Sequence, residues 1–132
     1  VVFFDLDHFK KVNDTYGHEC GDVVLSTFGK ILNKSVREHD IVGRYGGEEF
    51  VAIIHFNLNR ELLQFLKRIK TIVTENSFLY KEKKIKVTFS AGVAIRSSYA
   101  TYENTLQKAD MLLYQAKENG RNKIILENGM EI

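Results

Sequence analysis

The stretch IVGRYGGEEFVAIIHF, residues 41–56, decides the fold of this chain. Apolar segments over residues 41–45 and 50–56 flank Gly46-Gly47-Glu48-Glu49. Two such segments joined by a tight glycine turn predict a β-hairpin. Glycines permit positive φ angles and a close approach of the backbone to a ligand. The pattern therefore places two acidic side chains at the tip of a hairpin.

The rest of the chain continues this mixture of strands and helices. An apolar run at 1–4, a period-two alternation at 85–95 and a short run at 123–126 predict three further strands. Helical spacing of apolar residues predicts helices over 8–14, 22–36, 61–75 and 102–119, the last closed by Gly120. The order β-α-α-β-β-α-β-α-β predicts an α/β (α+β) fold. In it, a mixed five-stranded sheet with a ferredoxin-like βαββαβ core is flanked by helices.

The composition is that of one globular domain, residues 1–132, with 44% hydrophobic and 27% charged residues. A net charge of +2 is too weakly basic to predict a nucleic-acid partner. Cys20 is the only cysteine, which excludes an intrachain disulfide. No apolar run approaches the ~18 residues of a membrane span. We therefore expect a cytoplasmic domain, and the sequence leaves membrane attachment of a parent protein open.

The first candidate site is a metal site at the end of the first strand, at Asp5-Leu6-Asp7. Ligands usually bind at such a sheet edge, and Mg²⁺ prefers one or two carboxylates together with substrate phosphates. If the hairpin neighbours the first strand, Glu48 can face Asp5 across the sheet and complete a paired-carboxylate site. The alternative is that these acids end the strand, cap the next helix or are solvated at the turn.

Two groups of basic residues are candidates for phosphate binding. His8-Phe9-Lys10 opens a predicted helix, whose free N–H groups favour phosphate. Lys117 and Arg121 are four positions apart and share one face if the last helical turn continues. The alternatives are a solvated lysine and cations that complement the helix dipole.

Asn13 and Asp22 bracket a glycine-containing loop. An amide and a carboxylate together suit guanine, which offers N–H donors and a carbonyl acceptor along one edge. The alternative is an Asx turn at Asn13 and a helix N-cap at Asp22. Together these candidates are carboxylates that could bind a metal, basic groups that could bind phosphate, and an amide–carboxylate pair that could bind a purine. The combination predicts that the chain binds a nucleoside triphosphate and catalyses phosphoryl chemistry.

In order and spacing, the motifs closely resemble the GGDEF family of diguanylate cyclases, whose fold is related to those of nucleotidyl cyclases and polymerase palms. The family name reflects an Asp-Glu pair after the glycines, whereas this chain has Glu48-Glu49, a variant that active members also use. The resemblance covers essentially the whole chain. The matching stretches are DLDHFK (5–10), NDTYGH (13–18), GD (21–22), RYGGEEF (44–50), SAGVA (90–94), AD (109–110), LY (113–114), AK (116–117) and GRN (120–122).

The resemblance implies a role for each site residue. Mg²⁺, or alternatively Mn²⁺, would be bound by Asp5, Glu48 and the Leu6 carbonyl. The catalytic residues would be Asp5, Glu48 and Glu49, with either glutamate assisting deprotonation of the attacking 3′-hydroxyl and Asp7 in support. Guanine would be read by Asn13 and Asp22. The phosphates would be held by the His8 and Phe9 N–H groups with Lys10, Lys117 and Arg121, and beside them would lie Arg44 and Gly47.

The implied reaction joins two GTP molecules into cyclic di-GMP and releases two pyrophosphates. It needs a homodimer, because each domain holds one GTP and the two must face each other. The resemblance also implies an upstream regulatory domain in the parent protein, and an N-terminal helix that this chain lacks. Two other functions stay open: a catalytically silent module that binds GTP or cyclic di-GMP, and a different nucleotidyl transferase on the same scaffold.

A product-inhibition site is implied by Arg37-Glu38-His39-Asp40, which lies five residues before the first glycine. The family has an Arg-x-x-Asp motif at this spacing, and Arg68 is a further candidate. Arginine can stack on a guanine and bond to it, while aspartate can accept from its N–H edge. The alternative is an ordinary surface ion pair worth at most ~1 kcal/mol.

Overall fold

The computed structural model describes residues 1–75, 78–96 and 101–132. The strands are β1 (Val2–Leu6), β2 (Ile41–Gly46), β3 (Glu49–Ile53), β4 (Phe78–Tyr80), β5 (Lys83–Ile85), β6 (Phe89–Val93) and β7 (Ile124–Leu126). The helices are α1 (Phe9–Tyr16), α2 (His18–Ser35), α3 (Asn59–Glu75) and α4 (Tyr102–Glu118).

Five strands form the main sheet in the order β2-β3-β1-β6-β7. The central strand β1 is antiparallel to β3 and to β6, whereas β7 runs parallel to β6. The sheet is therefore mixed, as predicted. Strands β2, β3, β1 and β6, connected through α1–α2 and α3, form the predicted ferredoxin-like core.

Different helices cover the two faces of the sheet, as the contacts of two neighbouring residues of β1 show. Phe4 packs edge-on against Phe28 of α2, with ring centroids 5.9 Å apart, in the large core that α2 and α3 cover. Phe3 packs instead with Ala109 and Leu113 of α4. Because successive side chains of a strand point to opposite faces, Asp5 lies on the α4 side with Phe3.

The predicted strand at 85–95 is wrong as a single element. Residues 83–85 form β5, which pairs with β4 in a separate two-stranded hairpin, and the main-sheet strand β6 begins only at Phe89. The turn of that hairpin is Lys81-Glu82, with φ angles of 47° and 66°. The alternation begins at Ile85, the last residue of β5, and runs without a break into β6, and so the sequence does not show where the pairing partner changes.

The start of the chain also differs from the prediction in two places. Asp5 lies inside β1 rather than beyond its end, because β1 continues its pairing with β6 as far as Leu6. Helix α2 begins at His18, so Asp22 is inside the helix and is not its N-cap. Gly17, with φ of 95°, separates α1 from α2.

Among the described residues, no helix combines the length and the apolar character of a membrane span.

Candidate active site

The acidic hairpin lies next to β1, as predicted, but its register changes which acid faces Asp5. Asp5 is paired directly with Glu49 of β3, so these two side chains share the face of the sheet that α4 covers. Glu48 precedes the strand, and its carbonyl accepts a hydrogen bond of 3.2 Å from the Leu6 N–H. The expectation that Glu48 faces Asp5 across the sheet is therefore corrected: Glu49 does, while Glu48 lies in the turn beside Leu6.

Helix α4 brings a cation to these acids. The Lys117 ammonium forms an ion pair with Asp5 Oδ2, and the Asp5 side chain is only 7% exposed. The helix can lie this close to the sheet because β6 carries Gly92, where a Cβ atom would come within 2.1 Å of the Ala109 carbonyl oxygen. A strand glycine under the helix thus helps to set the position of Lys117.

Arg121 does not share a helical face with Lys117, contrary to the prediction, because α4 ends at Glu118. Gly120, Arg121 and Asn122 all have positive φ angles, and the Arg121 N–H caps the helix on the Ala116 carbonyl at 2.9 Å. The next N–H, of Asn122, donates to the Asp7 carboxylate at 2.9 Å. This bond ties the loop that carries Arg121 to the end of β1.

Burial, together with the charge of neighbouring groups, perturbs the pKa of the buried Asp5 and of the half-buried Glu49. Burial raises the pKa of Asp5; the Lys117 ammonium lowers it, while Glu48 and Asp7 raise it again, and the net direction is upward. Burial also raises the pKa of Glu49, and Asp5, Asp110 and Glu48 add to this effect against the opposing Lys117. The site therefore holds more negative charge than Lys117 balances, which favours a bound cation.

The donor set suits a metal that completes its coordination from a ligand. In the parts of the chain that the structure describes, no three His, Cys, Asp or Glu side chains are grouped so as to hold a metal by themselves. Asp5 and Glu48 carry hard carboxylate oxygens and lie close enough to interact electrostatically. Mg²⁺ is typically held by one or two carboxylates with substrate phosphates, so these residues fit that ion.

Asp7 has a different environment from Asp5. Its carboxylate is buried and accepts hydrogen bonds from Thr88 Oγ1 at 2.7 Å, Ser90 Oγ at 2.6 Å and the Asn122 N–H at 2.9 Å. These partners belong to β6, the segment before it, and the loop after α4. Asp7 therefore fastens the backbone around the site, in agreement with the supporting role predicted for it.

The other predicted phosphate residues and the predicted guanine residues lie on or next to α1, which follows β1 directly, and on α2. His8 has a left-handed backbone (φ of 55°) at the N-cap position of α1, and both His8 and Lys10 are exposed. Asn13 packs against Gly21 of α2 so closely that a Cβ at Gly21 would lie 1.8 Å from Asn13 Oδ1. This contact places the Asn13 side chain against α2 at Gly21, the residue before the exposed Asp22.

Comparison with known proteins decides the family. A family model described as "Diguanylate cyclase, GGDEF domain" matches residues 1–123. The chain belongs to the GGDEF domain family. Diguanylate cyclase A of Treponema denticola is 40% identical over 130 residues, which are 96% of this chain and 34% of that protein. The chain thus spans about a third of the length of that curated relative.

Solved GGDEF structures have the same fold. The GGDEF domain of DgcB from Caulobacter crescentus, crystallised in complex with c-di-GMP, matches with a TM-score of 0.88 at 28% identity, covering 97% of this chain and 77% of that one. The active GGEEF domain of a diguanylate cyclase from Vibrio cholerae matches with a TM-score of 0.81 at 28% identity, covering 95% and 80%. This fold is the palm-like fold of the cyclases, as predicted.

The Arg44 side chain of this GGDEF domain folds back onto its own hairpin turn. Its Nε donates to the Gly47 carbonyl at 2.8 Å, and Gly47 has a φ angle of 51°. The side chain therefore braces the turn that presents Glu48.

The three residues of the predicted inhibitory site lie together at the other end of β2. Arg37, Asp40 and Arg68 line one cavity of about 230 Å³. The surface ion pair considered as the alternative is not formed between the two side chains, because Asp40 accepts the backbone N–H groups of Arg37 and His55, both at 2.9 Å. The Arg37 guanidinium pairs with Glu61 instead, at 2.9 Å.

Sequence reasoning missed three residues that shape these sites. Gly21 clears the space for Asn13, Asp110 adds to the negative field at Glu49, and Glu61 binds Arg37. Gly21 belongs to the stretch GD (21–22), which matched the family, but the sequence did not show what this glycine does. Asp110 likewise belongs to the matching stretch AD (109–110), whereas Glu61 lies on the surface of α3, where only packing reveals that it approaches Arg37.

Proposed function

We propose that this chain is the catalytic domain of a diguanylate cyclase, which condenses two GTP molecules into cyclic di-GMP and two pyrophosphates. The observation that carries the proposal is the convergence of Asp5, the hairpin acids and Lys117 at one edge of the sheet, in a chain of the GGDEF family. Carboxylates for a divalent cation and a cation for phosphate are the parts that phosphoryl transfer needs.

In this proposal each residue has a defined task. Asp5, Glu48 and the Leu6 carbonyl would hold Mg²⁺, which would lower the pKa of the 3′-hydroxyl and offset charge on the reacting phosphate. The triphosphate is held by Lys10, Lys117, Arg121 and the N–H groups of His8 and Phe9, and near it Arg44 keeps the turn in shape. The 3′-oxygen of one GTP attacks the α-phosphorus of the other, the bond to pyrophosphate breaks, and the hydroxyl proton passes to a carboxylate.

Glu49 is supported as the proton acceptor by its surroundings. A carboxylate with a raised pKa accepts a proton more readily at neutral pH. Burial and the neighbouring Asp5 raise the pKa of Glu49, and its register position places it on the same face as Asp5. Glu48 stays the alternative base, since it lies in the adjoining turn.

Asn13 supports GTP as the nucleotide. Its Oδ1 is buried and, within the described part of the chain, has no hydrogen-bond partner. A buried acceptor without a donor is unfavourable, and a rotation of the amide would offer it to the N–H edge of guanine. Asp22, exposed on the neighbouring helix, would accept from the same edge.

Regulation and assembly complete the proposal. Each domain carries one GTP, so turnover requires a homodimer in which two such sites face each other, brought together by the upstream domain of the parent protein. The cavity between Arg37, Asp40 and Arg68 is proposed to bind the product cyclic di-GMP and so inhibit the enzyme. Its two guanidinium groups suit the phosphates and guanine acceptors of that ligand.

One experiment tests the activity. The chain, fused to a dimerising coiled coil, is incubated with GTP and Mg²⁺, and the products are separated by chromatography. We expect cyclic di-GMP from the wild type and from Glu103→Gln, an exposed neutralising control on α4, and none from a folded Glu48→Gln. Full activity of Glu48→Gln would refute the proposed role of Glu48 in binding the metal. Tight binding of cyclic di-GMP by the wild type, without turnover of GTP, would show that the domain is a receptor and not an enzyme.

A further inference from the structure

We call the cavity that Arg37, Asp40 and Arg68 line the effector cavity. It also contains an acidic side chain that the Arg-x-x-Asp motif does not predict. Glu61, in the first turn of α3, lines the cavity with Arg37, Asp40 and Arg68. Its Oε2 accepts from Arg37 Nη2 at 2.9 Å, while its Oε1 accepts from the Leu58 N–H at 3.0 Å. The second bond caps the helix, so the carboxylate is anchored beside Arg37 by its own backbone.

The two acids of the cavity, Asp40 and Glu61, differ in exposure and in the groups that they bind. Asp40 is 3% exposed at its side chain, and both of its oxygens already accept backbone N–H groups. Glu61 is more exposed, at 25%, and it holds the guanidinium that a ligand needs. Its pKa is lowered first by the hydrogen bond from Arg37, so it is ionised at neutral pH.

The cations of the cavity are also unequal. Arg68 Nη2 donates to the Ser35 carbonyl at 2.8 Å, and its guanidinium lies 5.9 Å from the centre of the Phe65 ring, so it is oriented by neutral groups. Arg37, 61% exposed, is oriented by a charge. Two arginines and two carboxylates leave the cavity without net charge, which is unfavourable for a ligand that carries two phosphodiester charges.

We propose that Glu61 is an intramolecular competitor of the effector: it occupies Arg37 in the free domain, and a cyclic dinucleotide must displace it or bind against its charge. This inference rests on the proposed product site. An exposed pair of this kind is weak enough to exchange, because solvent screens it and two long side chains lose freedom in forming it. Glu61 therefore limits the affinity of the site for cyclic di-GMP, and so sets the product level at which synthesis stops.

The test is the dissociation constant of cyclic di-GMP, measured by titration calorimetry on the whole chain without GTP. Glu61→Gln removes the charge and keeps an oxygen that can accept from the Leu58 N–H. We expect it to tighten binding by roughly two- to fivefold, the loss of one exposed charge interaction. The difference should shrink as salt is added, because ions screen exposed charges. Glu75→Gln, at the exposed far end of the same helix, should bind as the wild type does.

A third variant separates the two ideas. Arg37→Ala removes the group for which Glu61 and the ligand compete. If Arg37→Ala weakens binding but Glu61→Gln leaves it unchanged or weaker, the competition is refuted and the product site stands. If Arg37→Ala binds as the wild type does, the product site is elsewhere and both ideas fail.

Discussion

At the scale of single residues, surroundings decide what each acid of the DLD motif does. Asp5 faces α4 and shares its environment with Glu49 and Lys117, whereas Asp7 is surrounded by three hydrogen-bond donors. A carboxylate whose oxygens accept hydrogen bonds from the protein stabilises the surrounding backbone. A carboxylate that lies close to other acids is suited to binding a cation. The sequence predicted this division only through the family resemblance, since donors such as Thr88 come from distant parts of the chain.

Gly21 gives a prediction at this scale, because the space above it belongs to Asn13. In Gly21→Ala the new Cβ would meet Asn13 Oδ1 at 1.8 Å and displace the amide. We expect the affinity for a non-hydrolysable GTP analogue to fall about tenfold, as for one lost hydrogen bond, with the fold retained. Fluorescence titration measures it.

The control for this variant is in the same helix. Gly29→Ala places its Cβ 3.6 Å from the Phe50 ring, an ordinary contact, and gains the same helix propensity. It should bind the analogue normally. Equal affinity of both variants would remove Asn13 from guanine recognition.

At the scale of elements, pattern identified the main sheet and failed where strands change partners. The GGEE turn, the flanking apolar runs and the helical periodicities correctly predicted β1, β2, β3 and the helices. The β4–β5 hairpin was missed, because three-residue strands carry little pattern and Ile85, the last residue of β5, continues the alternation of β6. The register that pairs Asp5 with Glu49 could not be predicted either, since it depends on how many residues the turn takes.

Packing of α4 on the sheet provides the second prediction. Gly92→Ala would force a Cβ to within 2.1 Å of the Ala109 carbonyl and 2.4 Å of the Leu113 nitrogen, so α4 must move. We expect a loss of roughly 2 kcal/mol in the free energy of unfolding and a weaker Lys117–Asp5 contact. Gly43→Ala, a strand glycine with nothing within 4 Å of its Cβ, is the control and should be at least as stable as wild type. Chemical denaturation that found the two variants alike would contradict this account of the helix position.

The connection between α2 and β2 provides a prediction of pH dependence. Burial raises the pKa of Asp40, but the N–H groups of His55 and Arg37, the His55 side chain and the Arg37 charge lower it overall. The ionised carboxylate therefore stabilises the fold above its ordinary value of 3.8, and this contribution is lost as the pH falls through the lowered value.

Asp40→Asn should accordingly lower the free energy of unfolding at pH 7, by about 2 kcal/mol for a carboxylate that accepts two backbone hydrogen bonds. The difference from wild type should begin to narrow as the pH falls below 3.8 toward the lowered pKa of Asp40, and should therefore be smaller at pH 3 than at pH 7. Urea titrations at both pH values measure it, with the exposed Asp14→Asn as control. A difference that stayed constant with pH would mean that the charge of Asp40 plays no part.

At the scale of the whole molecule, the fold separates two activities along one hairpin. The acids at its tip form the proposed catalytic centre, and Arg37 and Asp40 at its base line the proposed effector cavity. The six-residue strand β2 spans the distance between them, about 20 Å at the usual rise per residue. Product bound at the base as proposed would not touch the proposed catalytic acids, so we expect the proposed inhibition to act on how two domains are brought together.

The most direct test of the account counts divalent cations. Mn²⁺ binding is followed by electron paramagnetic resonance with a non-hydrolysable GTP analogue, in the wild type, Asp5→Asn, Glu48→Gln, the double variant and the control Asp14→Asn. If the acids from β1 and the hairpin share an ion, each single variant loses the same bound Mn²⁺ and the double variant loses no further one. Single variants that keep the full number of ions, or a double variant that loses one ion for each substitution, would contradict the shared site.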